Sequence, residues 1–139
     1  MHIRIATAQD HDALVALDSL ARQEPRRAGQ IAYWLGHYRC LVAEIQGQVV
    51  AYAVTHRHFF GCAFIEMLMV AGNQRRLGVA GALLAWIQAD CAGHKLFTSS
   101  NRSNAPMRRL LERQGFVESG VIEHLDDGDP ELVYFCQCP

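Results

Sequence analysis

The chain has no surplus of charge of either sign. In 139 residues, 13 Lys and Arg stand against 14 Asp and Glu, a formal net charge of -1. A nucleic-acid-binding domain normally carries a basic excess gathered on one face, so that class of partner is not expected. Long apolar runs are also missing. None reaches the roughly 20 residues that a membrane-spanning helix needs, so no membrane partner is expected. Met1-His2-Ile3-Arg4-Ile5 starts directly with a strand-like pattern and carries no signal-peptide signature, which points to a cytoplasmic location. Proline is scarce, at 4 residues, and there are no repeats, low-complexity stretches or linkers, so 1–139 reads as a single domain. The 5 cysteines form an odd, scattered set, which suits reduced buried thiols better than a disulfide framework. No metal site is expected either. His56-x-His58 and Cys136-x-Cys138 lack the two-residue spacing of zinc knuckles and read as a strand end and a strand.

What the chain does have is apolar periodicity that changes from element to element. Residues 2 to 5 read as a strand. Asp10 can cap a helix over 11–22, with Leu14, Leu17, Leu20 and Ala21 on one face. A second helix over 26–35 follows Pro25. Strands over 40–45 and 49–55 flank Gln46-Gly47-Gln48, the signature of a hairpin. The segment 63–70 is apolar on both faces except for Glu66, as in a strand covered on both sides. A helix over 79–91 is apolar nearly all round and must pack against a sheet and something else. A strand over 95–99 follows, then a helix capped by Ser103 or Asn104 with Gly115 at its C-terminal end. Strands over 116–122 and 132–137 close the chain around the acidic loop 125–131. The order is an α/β pattern, a mixed sheet with helices on both faces.

The densest information lies in Gln74-Arg75-Arg76-Leu77-Gly78-Val79-Ala80-Gly81. A buried strand, a glycine turn and a helix start in succession make an anion site. The first-turn N–H groups of a helix lack intrahelical acceptors and point beyond its end. Small residues admit a pyrophosphate to the backbone, and two arginines supply charge beside it. No Lys-Ser/Thr follows, so a P-loop does not account for the turn.

With the flanking elements added, the chain resembles the GNAT superfamily of N-acetyltransferases over essentially its whole length. The family's Gln/Arg-x-x-Gly-x-Gly/Ala signature is met by Arg75-x-x-Gly78-x-Ala80. Its asparagine eleven residues before Gly-Phe is met by Asn104 before Gly115-Phe116. The acidic loop and the Thr98–Asn104 run resemble a bacterial branch with no settled substrate. The resemblance implies a mostly antiparallel sheet of about seven strands flanked by about four helices, with acetyl-CoA as co-substrate and an amine as acceptor. It places the pyrophosphate beside Arg75 and on the N–H groups of Arg76, Leu77, Gly78, Val79, Ala80 and Gly81. The pantetheine would pair with the backbone of Leu68, Met69 and Val70 and bond to Asn104. It further implies that the central strand splays from its neighbour, and dimers through the terminal strands are common in the family.

The implied chemistry is direct attack of an amine on a thioester. An aliphatic amine with pKa near 10.4 is less than about 0.1% neutral at pH 7. Removing its proton costs on the order of 4–5 kcal/mol, which makes a general base valuable. Glu66, the one charge in an apolar strand, is the candidate base; the bland alternative is a structural pair with an arginine or a turn to solvent at a bulge. Burial there would favour the protonated carboxyl, which suits a base. Many family members carry tyrosine seven residues after the asparagine, to protonate the departing thiolate. Leu111 stands there instead, leaving Tyr134, Ser99 or Ser100 as candidate acids. Cys62 and Cys91 read as core thiols, with nothing beside them to activate a nucleophile. Asp126, Asp127, Asp129 and Glu131 either attract a cationic acceptor or form an ordinary solvated turn. The rival to an enzyme is a non-catalytic acyl-CoA-binding domain, toward which Leu111 points.

Overall fold

A computed structural model of the chain describes residues 1–75 and 78–139. Seven strands form one sheet in the order β1-β2-β3-β4-β5-β7-β6. These are β1 (His2–Ile5), β2 (Arg39–Ile45), β3 (Gln48–Phe59), β4 (Cys62–Val70), β5 (Lys95–Asn101), β6 (Val117–Ile122) and β7 (Glu131–Gln137). Every neighbouring pair is antiparallel except β4 with β5. The helices are α1 (His11–Leu17), α2 (Arg27–His37), α3 (Val79–Asp90) and α4 (Ala105–Arg113). This is the expected α/β architecture. Among the described residues, no helix is long and apolar enough to cross a membrane.

Alternation along the strands builds two cores. Leu41, Ala43, Ala53, Ile65, Leu96 and Tyr134 face α3 and α4, where they meet Val79, Leu83, Leu84, Ile87 and Leu111. Cys40, Val42, Tyr52 and Val54 face α1 and α2, where they meet Leu14, Ile31 and Trp34. The turn between β2 and β3 carries positive φ at Gln46 (52°) and Gly47 (77°), the two-residue hairpin geometry that matches strand twist. Helix α3 finds its second neighbour in α4. A Cβ on Gly81 would lie 3.3 Å from Gln114 Nε2 and 3.8 Å from Leu110 Cδ1. Gly81 is therefore small for helix packing.

The first helix ends five residues earlier than its periodicity predicts, and the reason is Asp18. Its backbone turns extended (φ -75°, ψ 114°), and its carboxylate is fully buried. One oxygen accepts from the Leu20 N–H (2.9 Å), and the other accepts from the Tyr52 hydroxyl (2.5 Å) and pairs with Arg27 Nε (3.2 Å). Arg27, also buried, donates to Gln30 Oε1 (2.7 Å) and stacks its guanidinium 5.3 Å from the Trp34 ring. Burial and the neighbouring carboxylate both push the Tyr52 phenol up, so it stays a donor. A buried charge is tolerated only when paired, so continuing α1 through Asp18 would sacrifice this arrangement. Leu20, expected on the apolar face, is half-exposed in the resulting turn.

Asp18→Asn should destabilise the domain by roughly 3–5 kcal/mol in urea unfolding, because it strands the buried Arg27 charge. Tyr52→Phe should cost only about 1–2 kcal/mol. If Asp18→Asn/Arg27→Met is no more stable than Asp18→Asn alone, the pairing is not the source of the loss.

Candidate functional site

The parallel contact between β4 and β5 lasts for three residue pairs: Ala63 with Leu96, Phe64 with Phe97, and Ile65 with Thr98. Thr98 Oγ1 then donates to the Ile65 carbonyl (3.0 Å) and pins the last of them. Beyond that point β4 continues to Val70 along β3, while β5 continues to Asn101 along β7. The two strands part like the arms of a V. On the β4 arm, Leu68 and Val70 turn their backbone N–H and C=O groups away from β3, with no strand beside them among the described residues, whereas Met69, expected to share this role, faces Tyr52 of β3. The Val70 carbonyl accepts from Arg75 Nε at 3.4 Å, which folds the arginine back over the open end.

Helix α3 begins at that open end. Its N-cap, Gly78, has φ +77°, while a Cβ there would meet nothing within 4 Å. Glycine is required by backbone hand rather than by space. The turn aims the first N–H groups of the helix, at Val79, Ala80 and Gly81, beyond the helix end. Arg76 and Leu77, which belong to the same expected anion site, lie outside the described residues.

Asn104 sits on the opposite arm as the N-cap of α4, and its Oδ1 accepts from the Met107 N–H (3.3 Å). Its amide N–H groups are therefore the part free to donate. Leu111 is buried in the core beneath α4. Tyr134 belongs to the same cluster and lies opposite Thr98 in the strand register, level with the fork. Its ring is fully enclosed, and its hydroxyl accepts from Arg108 Nε (3.2 Å), leaving its own proton for another acceptor. The two serines are occupied: Ser99 Oγ donates to Glu131 Oε2 (2.7 Å), and Ser100 Oγ donates to the Asn101 carbonyl (3.2 Å).

Glu66 corrects one expectation. It is not enclosed by apolar groups; its side chain is 42% exposed. Val54 pairs with Met67 and Thr55 with Ile65, so Glu66 is the extra residue of a β-bulge. The bulge reverses the alternation. Ile65 and Leu68 share the α3/α4 core, whereas Met67 and Met69 pack against the α1/α2 core. Its partner is a histidine, since His56 Nε2 lies 3.0 Å from Glu66 Oε1. Nothing in the sequence flagged His56 as that partner, or Thr98 as the pin of the fork. A histidine and a threonine in strands carry no local signal, and each acts across the sheet.

The acidic loop is largely committed to structure. Asp126 Oδ2 accepts from Asn101 Nδ2 (2.9 Å), and Asp129 accepts from the Ser103 N–H (3.0 Å) and Oγ (2.6 Å). With Glu131 on Ser99, these bonds strap the β6–β7 loop to the β5–α4 connection. Burial pushes the Cys40 thiol up to about 11 and Cys138 up to about 12, and it also raises Cys91. Such thiols are poor nucleophiles.

Comparison with known proteins agrees with this geometry. Among solved structures, a GNAT-family acetyltransferase from Bacillus cereus superimposes with a TM-score of 0.89 at 27% identity, covering 99% of this chain and 97% of the other. A ribosomal-protein-alanine N-acetyltransferase from Brucella melitensis gives 0.82 at 26% identity, covering 99% of each. An aminoglycoside 6'-N-acetyltransferase complexed with coenzyme A shares the fold at 12% identity, with a TM-score of 0.82 over 100% of this chain and 98% of that one. No curated protein matches in sequence. The acetyltransferase (GNAT) family matches residues 10–116, from the start of α1 to the end of α4. A forked sheet with a glycine-capped helix at its mouth is thus accompanied by the family's sequence pattern over most of the chain, and the protein belongs to the GNAT acetyltransferase family.

Proposed function

We propose that the protein transfers an acetyl group from acetyl-CoA to a primary amine, on a small molecule or a peptide, by direct attack, with Glu66 as general base. The observation that carries this reading is the fork between β4 and β5, with Glu66 raised on a bulge one residue beyond the last pair. Acetyl-CoA supplies the thioester. The backbone of Leu68 and Val70, with Met69 between them turned to β3, offers it strand-like pairing, and the Asn104 amide offers a donor. Arg75, the α3 N-terminus from Gly78 to Gly81, and the preceding Arg76 and Leu77 would hold the pyrophosphate. Glu66, on the α1/α2 side, accepts the ammonium proton so that nitrogen can attack. Tyr134, on the α3/α4 side and opposite Thr98 in the strand register, would be the donor for the departing thiolate, in place of the hydroxyl that Leu111 lacks. A thiol with pKa near 8.5 is a tolerable leaving group in any case, so this step needs modest help.

The second reading is an acyl-CoA-binding domain without turnover, and the observation that favours it is Leu111 buried where the family usually keeps a hydroxyl. Both readings require CoA binding, so turnover separates them. Thiol release from acetyl-CoA should depend on the acceptor across a panel of polyamines, aminoglycosides, amino acids and N-terminal peptides. Tight CoA binding with no release for any of them would select the second reading.

Three variants test the assignments. Glu66→Gln should lower turnover at pH 7 by about 10²–10⁴-fold, with partial recovery as the medium itself deprotonates the amine at higher pH. An unchanged pH–rate profile removes Glu66 from the mechanism. Gly78→Ala, which forces a side chain into the left-handed region at about 1–2 kcal/mol, should weaken acetyl-CoA binding roughly five- to thirtyfold by calorimetry. Wild-type affinity would detach the turn from the cofactor. Tyr134→Phe should lower kcat with little change in KM; an unaltered kcat leaves the thiolate to depart unassisted.

A further inference from the structure

We propose that His56 is a positioning residue for Glu66, held as the neutral Nε2–H tautomer by a second register break in β3. The inference rests on reading Glu66 as the base, and it concerns how that carboxylate is partnered and aimed.

The tautomer follows from one hydrogen bond. His56 pairs with Phe64 and Phe59 with Cys62, so Arg57 and His58 together oppose the single residue Ala63. This irregularity releases the His58 N–H from the ladder, and it donates to His56 Nδ1 at 3.0 Å. A backbone N–H can only donate, so Nδ1 carries a lone pair and the ring proton sits on Nε2. That proton points at Glu66 Oε1, 3.0 Å away. Protonating His56 would set an Nδ1–H against the His58 N–H and forfeit that bond. The ring therefore donates to the carboxylate without competing with it for the acceptor's proton.

Orientation is fixed by packing. The His56 side chain is 9% exposed. Its ring lies 4.8 Å from Tyr38, 5.4 Å from His58 and 5.6 Å from Phe64, centroid to centroid. With Oε1 occupied by His56, Oε2 is the oxygen left for the amine. A hydrogen bond to the charged form of a carboxyl group favours that form. The two bulges thus work together: one lifts Glu66 beside the fork, and the other turns its partner into a one-way donor.

The other titratable groups facing this pair are Tyr38, from the segment between α2 and β2, and His58 on β3. Behind Tyr38 stand Tyr33 and His37 of α2, stacked at 4.1 Å. The Tyr38 phenol is pushed up by desolvation and by Tyr33 and Glu66, so it stays neutral where the reaction runs. His58→Gln keeps the backbone N–H and supplies the background in which the His56 variants are also compared.

His56→Phe keeps the stack and removes both nitrogens; His56→Gln restores a donor at the reach of Nε2. Long-range proton–nitrogen correlation on the wild type should show His56 as the Nε2–H tautomer, and an Nδ1–H tautomer or a doubly protonated ring at neutral pH overturns the proposal. In His56→Phe the acid limb of kcat/KM should move to higher pH, making the variant about three- to tenfold slower at any pH on that limb. The effect is limited because Glu66 is partly solvated. The two enzymes should converge above the limb, and His56→Gln should return within about twofold of wild type. The carboxyl carbon resonance of Glu66 should shift its titration in the same direction as the limb. If neither the limb nor the resonance moves, His56 does not act on Glu66. If the resonance moves but the limb does not, the positioning role in catalysis is overturned, and a Glu66→Gln enzyme of normal rate would trace the failure to the assignment of the base.

Discussion

Everything functional in this molecule follows from the early end of the β4–β5 pairing. A parallel pair that continued beyond Ile65 and Thr98 would satisfy the β4 backbone with its neighbour and fill the space with side chains. The pairing stops because β4 gains an extra residue at Glu66, which bends and twists the strand. Past the fork, β4 is held by β3 alone and β5 by β7 alone. Polar backbone is thereby left open in the interior of a sheet, a place where it is normally satisfied. Such exposure is stable only because the two half-sheets are separately complete. Each has its own antiparallel partners, and α3 and α4 span the gap from one face.

The same constraint explains where the glycines fall. The strand that opens the fork ends at Val70, and the chain must then reverse into α3 within a few residues. Gly78 makes that reversal through a left-handed backbone. Gly81, which the sequence pattern groups with it, answers to a different demand, the approach of α4 at Leu110 and Gln114. One motif therefore serves two physical purposes. The first turns the α3 N–H groups beyond the helix end, and the second lets α3 and α4 pack closely.

How much of this was legible in the sequence depended on whether the signal was local. The apolar run Phe64–Val70, the glycine turn and the apolar helix after it are consecutive in the chain, and all were readable as strand, turn and helix. Glu66 stood out as the single charge in that run, and exposure at a bulge stood open as the alternative to burial; the pattern could not decide between them, because a bulge leaves no trace in a segment with no alternation to interrupt. His56 and Asp18 were opaque for a related reason. His56 reads as one member of a His-Arg-His strand end until the bulge brings Glu66 to it across β3 and β4. Asp18 reads as a polar helix position until Tyr52, thirty-four residues away, and Arg27 are seen to enclose it. Local pattern locates elements; the residues that set their ends and their chemistry answer to partners across the sheet.

The fork also divides the chemistry between faces. Glu66 lies on the α1/α2 side, where the bulge and His56 hold it, and Tyr134 lies on the α3/α4 side, beneath Arg108. In the proposed reaction, an acceptor amine entering from the first side would lose its proton there, and the thiolate would leave toward the second. This separation also relaxes the requirement at position 111. A hydroxyl on α4 and one on β7 approach the fork from the same face, so a leucine on the helix is compatible with a donor supplied by the strand. The enclosure of Tyr134 is then a condition on the proposed reaction: as the donor, it would give its proton only to a group that fills the fork, so thiolate protonation would be coupled to occupation of the site.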